Sequence, residues 1–282
     1  MFRLATLLVT FSWCLLVPVS LQAQVLRFAA IPDESWAVTQ QRFTPLLRYL
    51  ETRGMSGVMI ATPDLASFID AVTAKRVDFV WINGFSFVQA RARMGGNLTC
   101  VAQRKEDANF QSVFVSRDSA INSIEHLAGK SIVFGPRPSV SGHLMPRFFL
   151  KQHPSEPLSK LKTIRHAVSH EATLDQVNRG VADVGVVSAS ALARLIAETK
   201  VDASALHVLH TTPTFVDYCF ALTGDRDPTL YTALQNALTG LDPRRPDHMA
   251  ILQSLRAKRV IAASDDAYAP IEEMAKEVGL LR

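Results

Sequence analysis

Three short segments carry residue types able to hold a small anion. Ser139-Val140-Ser141-Gly142-His143 follows the apolar run Ile132-Val133-Phe134 and precedes a stretch that reads as a helix over 142–152. Such a loop places the hydroxyls of Ser139 and Ser141 beside the first backbone N–H groups of a helix, which have no internal partner. The helix dipole adds to them, so a negatively charged oxygen is favoured there; the plainer alternative is an ordinary helix cap. Ser169-His170-Glu171-Ala172-Thr173 is a second turn from strand to helix. His170 can donate to an oxyanion, and can carry a charge if an anion raises its pKa; a capping or core histidine is the alternative. In Trp81-Ile82-Asn83-Gly84-Phe85-Ser86-Phe87 a buried strand ends, Gly84 permits a tight turn and a helix follows. Trp36, after the first strand, occupies a similar place. All of these lie beyond the carboxyl ends of strands, where open α/β sheets bind ligands.

Signatures of catalysis are missing. Gly84-Phe85-Ser86-Phe87-Val88 begins like a nucleophile elbow and lacks its final glycine, and no glycine-rich phosphate loop with a lysine occurs. His170-Glu171 is not followed by a second histidine at the zincin spacing, and no Cys-x-x-Cys or His-x-Cys pattern supports a metal site. Neither metal nor cofactor is expected. The carboxylate pairs Asp265-Asp266 and Glu272-Glu273 read as solvated helix faces. With 30 Lys and Arg against 26 Asp and Glu, and only short basic pairs such as Arg244-Arg245, nucleic acid is not an expected partner.

The elements that must position these segments alternate. Strands are expected at 25–31, 57–61, 79–82, 98–103, 112–116, 131–135, 163–168, 184–187 and 215–222, with helices at 39–51, 65–74, 85–92, 142–152, 171–179 and 190–197. The tail from Asp227 to Leu281 reads as helices broken by Pro243, Pro246 and Pro270. This order argues for an α/β fold with mostly parallel sheets in two lobes, without a flexible linker. Crossing strands at 112–116 and 215–222 make the first lobe discontinuous: residues 24–112 plus 216–282, with 113–215 as the second lobe.

The chain of 282 residues opens with Met1-Phe2-Arg3, an almost continuously apolar run from Leu4 to Leu21, and then Gln22-Ala23-Gln24. That pattern is a secretory signal peptide over 1–23, cut after Ala23; Ser12, Pro18 and Ser20 weaken the competing reading as a membrane anchor. Cys14 leaves with the leader. The mature protein then keeps Cys100 and Cys219, both in apolar strand-like runs, as a disulfide or as two buried thiols. No membrane insertion is expected after cleavage.

The order of the segments resembles the PhnD-like family, the periplasmic phosphate-, phosphite- and phosphonate-binding proteins of ABC transporters. The resemblance rests on Val77 to Gly84, Phe110 to Val115, Asp118 to Ile121 before Leu127 to Lys130, Ser139 to Gly142 with Pro146, and Ser169 to Glu171 leading to Gly180 to Gly185. It implies a two-lobed clam-shell, each lobe a mixed sheet flanked by helices, closing on a small oxyanion contacted by Ser139, Ser141 and His170. The family loop has Ser-Thr-Ser-Gly, so Val140 here removes a hydroxyl. Its cleft tyrosines appear as Trp81 with Phe85 or Phe87, which lack a phenolic proton. Other segments, such as Trp81 to Ala90 and Val101 to Asp107, are similar to a branch associated with selenate or with arsenite sensing. In that branch a cysteine binds the arsenic, which directs attention to Cys100, since soft arsenic(III) prefers thiolate sulfur.

The expectation is therefore a non-catalytic periplasmic solute-binding protein. The 139–142 loop and His170 supply donors, Trp81 and its neighbours an apolar wall, and Arg104 a positive field. Its partner is an ABC transporter permease or, in the arsenite reading, the periplasmic sensor domain of a histidine kinase. A hydrolase on an α/β scaffold is the weakest alternative, since no nucleophile with a base can be assembled.

Overall fold

The computed structural model describes residues 25–225 and 227–281; the expected leader over 1–23 lies outside them. Strands β1 (Leu26–Ala30), β2 (Gly57–Met59), β3 (Phe79–Ile82) and β4 (Leu98–Arg104) alternate with helices α1 (Trp36–Glu51), α2 (Leu65–Thr73) and α3 (Gly84–Arg93). Next come β5 (Ser112–Ser116), β6 (Ser131–Phe134), α4 (Met145–Gln152), α5 (Pro157–Lys160), β7 (Thr163–His166), α6 (His170–Asn178), β8 (Val184–Ser188), α7 (Ala189–Ala197) and β9 (His207–Thr211). The chain ends with β10 (Cys219–Thr223), α8 (Pro228–Thr239), α9 (Pro246–Ser254), β11 (Val260–Ala262) and α10 (Ala269–Glu277).

These strands form two sheets, in the orders β11-β4-β10-β3-β1-β2 and β7-β6-β8-β5-β9. Both are mixed. β1 pairs in parallel with β2 and β3, but β10 runs antiparallel to β3 and β4, and β5 runs antiparallel to β8 and β9. The expectation of mostly parallel sheets thus gives way to antiparallel strands where the chain passes from one sheet to the other. The strand expected over 215–222 begins only at Cys219. Phe215 instead exchanges backbone hydrogen bonds of 2.8 and 2.9 Å with Phe110, an isolated bridge on the path between the sheets. β5 lies wholly within the second sheet.

Continuous apolar runs become buried central strands, as all four residues of β3 show. Phe43, Leu46, Leu47 and Leu50 of α1 face the same core. Behind the second sheet, Gly185 of β8 lets α6 approach closely: a Cβ there would lie 2.6 Å from Val177 Cγ2. That contact fixes the height of α6, and with it His170, above the strand ends. Among the described residues no helix is long and apolar enough to cross a membrane.

Candidate functional site

β6 ends at Phe134, and the following loop is held from both ends. Gly135 N–H donates to Gly142 O at 2.8 Å, and the two glycines approach so closely that a Cβ on either would meet the other's Cα at 3.0 Å. Ser139 caps the next turn, its Oγ accepting from Gly142 N at 2.9 Å and lying 3.4 Å from Ser141 Oγ. The expected helical start near Gly142 is instead a π-turn over Val140–Leu144, with Leu144 N–H donating to Ser139 O at 3.1 Å before α4 begins. π-turns widen a helix locally and recur at functional sites. Ser141 is 2% exposed, held beside the Ser139 hydroxyl.

His170 opens α6 behind the Ser169 cap, whose Oγ accepts from Ala172 N. Its ring lies against the glycine pair: a Cβ on Gly142 would be 3.1 Å from His170 Cε1, and one on Gly135 would be 3.4 Å from Nδ1. Nδ1 is buried without a hydrogen-bond partner among the described residues. Burial, with Arg194 adding repulsion, holds the imidazole down to about 4, so it is a neutral ring with one N–H at physiological pH. The charged form anticipated in the presence of an anion is not its resting state. His166 is likewise held to about 4, by burial and by the neighbouring His143.

These shifts predict acid sensitivity. An unfolded histidine takes up its proton near 6.5, whereas these two do so only near 4 when folded. Between those values the unfolded chain binds more protons, so stability present above pH 6.5 is lost as the pH falls toward 4. Urea unfolding at stepped pH checks this. In a His166→Gln/His170→Gln variant the slope across that window flattens.

On the first sheet, β3 leads into α3 through Asn83, whose Oδ1 accepts from Ser86 N at 2.8 Å while its Nδ2 donates to Pro138 O at 3.1 Å. One side chain thereby ties the N-terminus of α3 to the serine loop of the other sheet. Gly84 N–H donates to Asp217 Oδ1 at 3.2 Å. Asp217 is 1% exposed, and burial, with Asp107 adding repulsion, pushes its carboxyl well above the usual range.

Several expected residues lie differently. Trp81 and Phe85 are buried in the first-sheet core. Trp81 stacks on Tyr218, centroids 5.2 Å apart, beneath the guanidinium groups of Arg42 and Arg104. Arg104 supplies no free positive field: Asp107 takes its Nε and Nη2 at 2.6 Å each, and Leu255 O takes Nη1. Trp36 is exposed, at the start of α1 beside a cavity of about 150 Å³ also lined by Glu34, Ser35, Thr39 and Thr62. Among the described residues, Cys100 and Cys219 are two free, buried thiols. Cys100 sits within β4, its N–H donating to Asp265 Oδ1 at 2.7 Å, in the first-sheet core with Cys219 and Tyr268.

The sequence reading missed Asp217, Asp33 and the phenol of Tyr218, which donates to Asp33 Oδ2 at 3.0 Å. The available signal was Asp217-Tyr218, a polar pair at the head of an otherwise apolar run. The structure brings together Ser139, Ser141, Gly142 and His170, and sets against them the α3 N-terminus with Asn83, Gly84 and Asp217.

Residues 28–268 match the family described as ABC transporter, phosphonate, periplasmic substrate-binding protein. A probable ABC transporter phosphite binding protein, PhnD1 of Prochlorococcus marinus (strain MIT 9301), is 32% identical over 280 residues, covering 94% of this chain and 93% of its own length. The solved structure of Prochlorococcus PhnD1 in complex with methylphosphonate superposes with a TM-score of 0.80 at 29% identity, covering 92% of this chain and all of that one. A binding protein component of an ABC phosphonate transporter from Pseudomonas aeruginosa shares the fold, with a TM-score of 0.72 at 21% identity over 89% of this chain and 85% of its own. With two helix-flanked mixed sheets and a match over most of its length, the chain belongs to the family of periplasmic substrate-binding proteins of phosphonate ABC transporters.

Proposed function

We propose that this protein captures a small tetrahedral phosphorus oxyanion, phosphite or a short phosphonate such as methylphosphonate, between its two sheets and presents it to a membrane permease. One observation carries the reading: the Ser139–Gly142 loop and the neutral His170 ring form one donor surface, held against the α3 N-terminus by the bond from Asn83 to Pro138 O. In this reading residues 24–112 plus 216–282 form one lobe and 113–215 the other, hinged near Phe110 and Phe215. The leader over 1–23 delivers the chain to the periplasm. In this reading the ligand leaves unaltered, as the role of a transporter's substrate-binding component implies.

Asp217 sharpens the choice of ligand. Burial favours the protonated form of the carboxyl at this helix end, and such a carboxyl donates best to a strongly basic oxygen. The oxygens of sulfate and selenate are far weaker bases than those of phosphite or a phosphonate, and both are disfavoured. Cys100 has no part in this reading, being buried in the core.

Calorimetric titration against phosphite, methylphosphonate, phosphate, sulfate, selenate and arsenite tests the proposal. Binding of at least one phosphorus oxyanion, with sulfate and selenate silent, is the expected result; binding of none of the phosphorus compounds overturns it. Ser141→Ala weakens the bound anion by about 1–3 kcal/mol, the cost of one hydrogen bond to a charged group. An unchanged Kd would remove Ser141 from the site.

A further inference from the structure

Val140 stands in the middle of the donor loop, yet its side chain carries no donor. Its side chain is fully buried, and with Leu144 and Met145 it joins the apolar cluster built by the first sheet and its helices. These three residues follow β6 of the second sheet, and their turn packs on β8 of the same half and also on α3 and α10 of the other half. The π-turn makes this division possible: Ser139 and Ser141 stay together beside His170 while Val140 enters the apolar seat. Asn83 holds the same loop through Pro138 O, so the apolar contact and the polar one act in register.

We infer that Val140 is a positioning residue for closure: its burial against the first half exists only when the two halves are shut, and it biases the hinge toward the closed form without touching the ligand. The inference rests on the proposed cleft site. A contact made in one of two states shifts the equilibrium by its own free energy. The apparent Kd of every ligand that needs the closed form then moves by the same factor. Val140 thus sets overall affinity, while the serines, His170 and Asp217 set selectivity.

Closure is read without ligand by spin labels at Val58→Cys and Ile164→Cys, exposed positions on the edge strands β2 and β7. Cys100 and Cys219 are buried and stay unlabelled. Pulsed dipolar distances then report the closed fraction, and calorimetry gives Kd for phosphite and methylphosphonate. Val140→Ala removes two methyl groups from the seat and is expected to lower the closing constant about tenfold, raising both Kd values by one common factor. Val140→Thr keeps the shape but places a hydroxyl in the apolar seat, so it weakens binding as well. Tighter binding by Val140→Thr would show that position 140 faces the ligand and would overturn the inference. So would unequal effects of Val140→Ala on the two anions, or an unchanged closed fraction. If the parent protein binds neither anion, the binding proposal fails, while the label distances still decide the role of Val140.

Discussion

Gly142→Ala is expected to raise the Kd for the bound oxyanion about a hundredfold or more while the protein stays folded. The added Cβ would lie 3.0 Å from Gly135 Cα, 3.1 Å from His170 Cε1 and 3.1 Å from Ser139 Oγ. Each of these is too close, and each neighbour belongs to the donor surface. Gly135 is backbone, pinned by its own bond to Gly142 O, so it yields least. The shift falls on the His170 ring and the Ser139 hydroxyl. Losing two hydrogen bonds to a charged ligand, at roughly 1.5–3 kcal/mol each, accounts for the expected loss. The cost to folding is smaller, about 1–3 kcal/mol for an overpacked site. Titration with methylphosphonate and urea unfolding of the same preparation separate the two effects. An unchanged Kd would mean that His170 and the loop do not act together.

Gly135→Ala offers the same test from the other side. Its Cβ would meet Gly142 Cα at 3.0 Å and His170 Nδ1 at 3.4 Å, so the two variants share a phenotype if the glycine pair is the floor of the site.

The serine loop and His170 were legible because their signals are local. A strand, a loop with small hydroxyl residues and a helix start appear within a dozen residues of sequence, and the backbone follows that pattern. Asn83 bonding to Pro138, and Gly84 to Asp217, join residues 55 and 133 positions apart, and no local pattern announces them. Arg104 was misread for a different reason. Its partner Asp107 is only three residues downstream, but whether an arginine faces solvent or a buried carboxylate depends on what covers it. Here Trp81 and the backbone of Leu255 do so. The aromatic segment 81–87 lies beyond a strand end, as its sequence suggests, and its aromatic side chains pack in the first-sheet core. β9 and β11 escaped notice because His207-Val208-Leu209-His210-Thr211 mixes polar residues into a partly exposed strand, and Val260–Ala262 is only three residues long.

Arg104→Ala is expected to destabilise the protein by about 3–5 kcal/mol, the effect of leaving one member of a buried ion pair without its partner. Asp107 is completely buried, and both of its carboxylate oxygens accept from the Arg104 guanidinium at 2.6 Å. The backbone O of the same residue accepts from Asp217 N–H at 2.9 Å, and Phe110, three residues on, forms the bridge to Phe215. Loss of Arg104 therefore acts on the path between the sheets as well as on the core. The deficit depends on pH in a defined direction. Burial already raises the Asp107 carboxyl, and without Arg104 it rises further. A carboxyl whose folded pKa exceeds the unfolded one is tolerated while protonated and costs stability as the pH rises. The difference between Arg104→Ala and the parent protein in urea unfolding should thus be largest at neutral pH and shrink as the pH falls toward 4. Replacing both partners by apolar residues, as in Arg104→Met/Asp107→Leu, removes the stranded charge and recovers most of the stability. A single-variant loss below about 1 kcal/mol at pH 7, the range of exposed pairs, would show that water reaches Asp107. The pair would then be a surface feature and not the buried strut that holds Tyr218 and Trp81 near the Phe110–Phe215 bridge.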